Sequence, residues 1–76
     1  MAMAYLKIWV GVGKERAVRD ALRGLQDIMR ADITTGEQDV IALIQAPDYT
    51  ALLEAILTRV RSIEGVERTE TNLVLD

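Results

Sequence analysis

The chain has no cysteine, no histidine and no phenylalanine, with one proline and one tryptophan in 76 residues. Without cysteine there is neither a disulfide nor a thiolate metal ligand. Without histidine the commonest nitrogen ligand for zinc, copper or non-haem iron is missing as well. The same two absences exclude Ser-His and Cys-His nucleophile pairs. Ser62 is the only serine and Asn72 the only asparagine. No apolar run approaches the roughly 20 residues of a membrane span. The N-terminus has no basic lead-in and no hydrophobic signal core. The expectation is a cytoplasmic protein, not an enzyme, with no cofactor, no metal site and no membrane partner.

What is present points to association. A chain of this length forms one domain, residues 1–76, and domains so small bury only about 60% of their unfolded surface. With disulfides and metals excluded, self-association is the remaining way to stabilise it. An apolar fraction of 50% leaves material for a second buried face. Nine basic against twelve acidic residues give a net charge of −3. Arg16, Arg19 and Arg23 lie at helical spacing, but Glu15 and Asp20 interrupt them. Direct nucleic-acid binding is therefore not expected.

Along the chain, residues 4–12 alternate as a strand, with Leu6, Ile8, Val10 and Val12 on one side and Tyr5, Lys7 and Trp9 on the other. From Lys14 to Leu25 the period becomes helical, Val18, Ala21, Leu22 and Leu25 forming one stripe. Residues 28–35 read as a second strand with Met29, Ala31 and Ile33 on one face. A third, about 39–45, is apolar on both sides: Val40, Ala42 and Ile44 against Ile41 and Leu43. Asp48 is a good N-cap for a second helix, whose apolar face runs through Leu52, Leu53, Ile56, Leu57, Val60 and Ile63. Gly65 is placed as its C′ residue. A last strand, 66–75, shifts its apolar parity between Val66 and Leu73, which suggests a bulge or burial on both faces.

The order βαβ-βαβ is that of an α+β, ferredoxin-like fold: a four-stranded antiparallel sheet with two helices on one face. Right-handed crossovers put strands one and three in the centre. The uncovered face then carries Tyr5, Lys7, Trp9, Ile41 and Leu43, too apolar a set to leave in water. A sheet-to-sheet dimer would bury it, with Trp9 as its anchor.

Little in the chain is suited to catalysis. Glu67 with Glu70, and Glu37 with Asp39, are carboxylate pairs on paper, but acidic residues beside a turn or on an edge strand are usually solvated. Gly11-Val12-Gly13 lacks the third glycine and the lysine-threonine of a phosphate loop. Two polar clusters remain: Thr34-Thr35-Gly36-Glu37-Gln38-Asp39 between strands two and three, and Arg68-Thr69-Glu70-Thr71-Asn72 on the last strand. A turn with a bare glycine offers backbone N–H groups to a carboxylate, and an aspartate beside it can take an ammonium. Those are the two charges of a free α-amino acid. Composition alone reads the same segment simply as a good turn.

The turn Thr35-Gly36-Glu37-Gln38-Asp39 leads into Val-Ile-Ala-Leu-Ile, then Ala-Pro-Asp-Tyr and a leucine-rich helix. The chain ends Ile-Glu-Gly-Val-Glu-Arg-Thr-Glu-Thr-Asn-Leu-Val-Leu. This order resembles the effector-binding (RAM) domain of the Lrp/AsnC feast/famine transcription regulators, from about Ala4 to Leu75. Full-length members carry an N-terminal helix-turn-helix domain, so the chain looks like a stand-alone RAM protein. The resemblance implies a dimer through the sheets, assembly into higher rings, often octamers, and amino-acid effectors in clefts between dimers. Carried over, Thr35, Gly36 and Asp39 match the effector-binding turn, Gly36 for the carboxylate and Asp39 for the ammonium. Thr69 and Thr71 match last-strand positions near the cleft. Co-assembly with a full-length Lrp/AsnC regulator is one output that the resemblance allows. Gln38 stands where many members have a bulky or aromatic residue. Two other classes share the topology: small dimeric α/β-barrel-type monooxygenases or isomerases, and ligand-free oligomerisation domains.

Overall fold

The computed structural model describes all 76 residues. The elements are β1 (Ala2–Val10), α1 (Glu15–Arg23), β2 (Ile28–Ile33), β3 (Val40–Ala46), α2 (Tyr49–Ala55), a π turn (Ile56–Val60) that continues α2, and β4 (Val66–Leu73). They form one antiparallel sheet in the order β2-β3-β1-β4. The ferredoxin-like α+β architecture and its central β1–β3 pair are those the sequence predicts. No helix is long and apolar enough to cross a membrane.

Alternation fixes which way β1 and β3 face. Ala2, Ala4, Leu6, Ile8 and Val10 point to the helices and are buried, as are Val40, Ala42, Ile44 and Ala46. Registers such as Ile8 opposite Val40 and Lys7 opposite Ile41 keep each set on one side. Every buried residue is apolar, so burial requires no compensating polar partners. Strand β1 starts and stops two residues before the expected range. Val12 lies beyond it, fully exposed at the tip of Gly11-Val12-Gly13, where Gly13 takes φ 79°.

Three expectations about facing are corrected. In α1 only Val18 and Leu22 are buried, with Leu25 packed beside them and Ala21 exposed. A helix of nine residues covers β2 and β3 with a narrower stripe than its period allows. In β2 the register slips between Ile28 and Arg30. Met29 is the extra residue and is 56% exposed, so Ile28 and Ala31 both face the core. Ile33, opposite Val40, opens onto a cavity of about 520 Å3 beside the start of α1.

The apolar face of α2 is also narrower than expected. Asp48 does cap it, accepting the Ala51 N–H at 2.8 Å. Leu52, Ala55, Ile56 and Val60 are buried, but Leu53 and Leu57 are 46% and 59% exposed. After Ala55 the helix widens, and the Arg61 N–H donates to the Ile56 carbonyl five residues back, at 3.0 Å. Gly65 is not the C′ residue, because the helix has already ended at Arg61. It turns the chain into β4 with φ 99°, and its carbonyl accepts the Gly11 N–H at 2.9 Å. The parity shift expected in the last strand is a bulge: Arg68 lies opposite Trp9 and Val66 opposite Val10, leaving Glu67 extra.

Candidate functional site

Because β1 and β3 run antiparallel, the end of β1 meets the turn that enters β3. Three successive residues of β1 hold that turn. The Ile8 carbonyl accepts the Asp39 N–H at 3.0 Å. The Trp9 indole Nε1–H donates to the Glu37 carbonyl at 2.9 Å. The Val10 N–H donates to Asp39 Oδ2 at 2.9 Å. From the β2 side, the Thr34 N–H donates to the Asp39 carbonyl at 3.1 Å.

Inside this frame Gly36 has φ 115°, a backbone conformation that side chains disfavour. Gln38 folds back beneath it, its Nε2 donating to Thr34 Oγ1 and to the Thr35 carbonyl, both at 3.1 Å. The backbone N–H groups of Thr35, Gly36, Glu37 and Gln38 donate to nothing within the chain. Four successive donors are thus without a partner in the chain, and Asp39 Oδ1 likewise accepts nothing from it.

Thr35, Gly36 and Asp39 thus fall in one turn. Thr69 and Thr71 do not join them within the chain. They lie opposite Ile8 and Leu6 on β4, on the helix side of the sheet, with β1 between them and β3. Sequence reasoning had no place in the site for Trp9 or for the Val10 N–H. Their partners lie 28 and 29 residues away, and only the strand order brings them together.

The opposite face of the sheet is uncovered. Tyr5, Lys7 and Trp9 from β1 share it with Ile41 and Leu43 from β3 and with Arg68, Glu70 and Asn72 from β4. Tyr5 is 51% exposed. The Arg68 guanidinium lies 4.5 Å from the centre of the Trp9 ring, a favourable cation–π distance. Lys7 pairs with Glu70 at 3.6 Å. Towards β2, Tyr5, Ile41 and Leu43 line a cavity of about 320 Å3 with Arg30 and Asp32. Arg30 Nε donates to Asp32 Oδ2 at 2.6 Å, and this bond holds the Asp32 carboxyl below the usual carboxylate range.

The family model of the Lrp/AsnC ligand binding domain matches residues 3–76. The chain belongs to this family. A protein of Thermus thermophilus is 30% identical, with a TM-score of 0.94 over 100% of this chain and 95% of that one. Two longer Lrp/AsnC-type structures share the fold. Escherichia coli AsnC is 20% identical with a TM-score of 0.92, matched over 99% of this chain and 51% of its own. A Neisseria meningitidis transcriptional regulator in complex with L-Met is 19% identical with a TM-score of 0.86, over 99% and 50%. The chain therefore spans about half the length of those two proteins. No curated protein matches it in sequence. The family is one of regulatory effector-binding modules, which are not enzymes.

Proposed function

We propose that the chain is a non-catalytic, cytoplasmic amino-acid sensor whose ligand is held at the Thr35–Asp39 turn. The observation that carries the reading is the row of four free N–H groups and the unengaged oxygen of Asp39. A ligand α-carboxylate takes the donors around Gly36, and its ammonium takes Asp39 Oδ1 in a charge-assisted hydrogen bond. The family match supports a small-molecule effector, and the L-Met complex of the Neisseria regulator supports the class. Within one chain the turn lies at the rim and encloses nothing. In this reading Thr69 and Thr71 complete the site from a neighbouring copy, in a dimer that associates through the open face and builds into rings. A full-length regulator of the family is a candidate partner in such an assembly.

The test is thermal unfolding in the presence of each amino acid in turn. A ligand at about 100 times its Kd stabilises by roughly 2.7 kcal/mol, a midpoint shift of ten degrees or more for a domain this small. Asp39→Asn keeps an oxygen for the Val10 N–H but removes the charge that the ammonium needs. It should abolish the shift while its sedimentation stays that of the wild type. If no amino acid moves the wild-type midpoint, the sensor reading is lost and a ligand-free association domain takes its place.

A further inference from the structure

We infer that Trp9 is a positioning residue for the turn, acting through the Glu37–Gln38 peptide from the open face of the sheet. The inference rests on the proposed ligand site and names a residue outside its contact set. A trans peptide is planar, so its C=O and its N–H point in opposite directions. Trp9 fixes the Glu37 carbonyl at 2.9 Å. It thereby turns the Gln38 N–H, one of the four free donors, away from the indole.

The neighbouring bonds do not replace this one. The Ile8 carbonyl holds the Asp39 N–H, and with it the Gln38–Asp39 peptide, while the Val10 N–H holds the Asp39 side chain; the Glu37–Gln38 peptide lies outside that clamp. Gln38 ties back to Thr34 and Thr35 through its side chain alone, and that does not orient the peptide before it. Gly36, with no side chain to restrict it, makes this segment the freest part of the turn. The indole is what selects one orientation. It does so from a ring that lies under Arg68 on the uncovered face, so whatever covers that face and whatever binds the turn bear on one side chain.

The experiment uses the 15N-labelled whole chain. There is a single tryptophan, so its indole N–H gives one resonance. That proton should exchange with solvent more slowly than a free indole. Trp9→Phe keeps an aromatic ring and removes the donor. It should shift the amide resonances of Gly36, Glu37 and Gln38 while those of α1 and α2 stay in place. Tyr5→Phe alters the same face without a partner in the turn and keeps its apolar surface, and should leave those three amides unmoved. An amino acid that stabilises the wild type should bind Trp9→Phe about five-fold more weakly, the weight of one net hydrogen bond.

Exchange at the free-indole rate overturns the inference, as do unmoved turn amides in Trp9→Phe or equal movement in Tyr5→Phe. Should Trp9→Phe fail to fold, the wild-type indole exchange decides. Should no amino acid bind the wild type, the sensor reading fails while exchange and amide shifts still decide the role of Trp9.

Discussion

Asp39 has two oxygens with different duties. Oδ2 is bound to the Val10 N–H and is part of the fold, while Oδ1 is the one available to a ligand. Removing the whole carboxylate therefore does two things at once. Asp39→Ala strands a half-buried N–H at the end of β1, at a cost of about 1–2 kcal/mol. Asp39→Asn retains an acceptor there and loses only the charge assistance. Melting curves at one protein concentration should place the alanine variant about 4–16 °C below the asparagine variant. Equal midpoints would mean that the Val10 bond contributes nothing and that Asp39 is free for binding alone. The residue was legible in the sequence as a charge beside a glycine turn. Its clamp was not, because the partner is a backbone group 29 residues away and no side-chain pattern records it.

At the scale of elements, period and parity locate the strands and helices but not their bulges. Strands β1 and β3 keep strict alternation, and their facing follows from the sequence. In β2 one extra residue, Met29, drops out of the expected face while Ala31 and Ile33 keep it, because the bulge resets the alternation before Arg30. In α2 the expected face is too wide: Leu53 and Leu57, one turn apart, both lie outside the buried row of Leu52, Ile56 and Val60. Glycines show the same limit. Gly13 and Gly65 both take positive φ, yet their surroundings differ. A Cβ on Gly13 meets nothing within 4 Å, whereas one on Gly65 lies 3.1 Å from both Lys14 Cβ and Val18 Cγ2. Gly13→Ala should cost about 1 kcal/mol, the backbone penalty alone. Gly65→Ala should cost about 1–3 kcal/mol more, since Val18 is fully buried in the core and cannot yield freely. Denaturant midpoints at constant m-value check the order, and equal losses would show that α1 gives way without cost.

For the whole molecule the question is what covers the open face. The helices pack on one side only, so this chain has a one-sided core and a sheet whose second side holds Tyr5, Trp9, Ile41 and Leu43. Arg30 with Asp32 and Arg68 lie to the sides of these, and the Lys7–Glu70 pair lies among them, Lys7 between Tyr5 and Trp9. Aromatic and aliphatic side chains with an arginine over the tryptophan are the composition of an interface. The size agrees: Cα extents of 33 × 22 Å along the two longer axes are comparable with the roughly 800 Å2 that each partner gives to a standard interface. A second copy, turned about a two-fold axis, offers the same apolar side chains and charges of both signs. Leu43, opposite Tyr5 in the register, is in the middle of this surface. Leu43→Lys puts an unpaired ammonium there while leaving the helix-side core untouched, so folding should survive and association should not. Sedimentation equilibrium should find the dissociation constant raised about thirty-fold or more, equivalent to about 2 kcal/mol of lost contact. The wild-type midpoint should rise with protein concentration, because dimerisation is linked to folding, and that dependence should flatten in the variant. A wild type that sediments as a monomer at micromolar concentration, or a variant that associates as tightly as the wild type, would leave the open face without this partner.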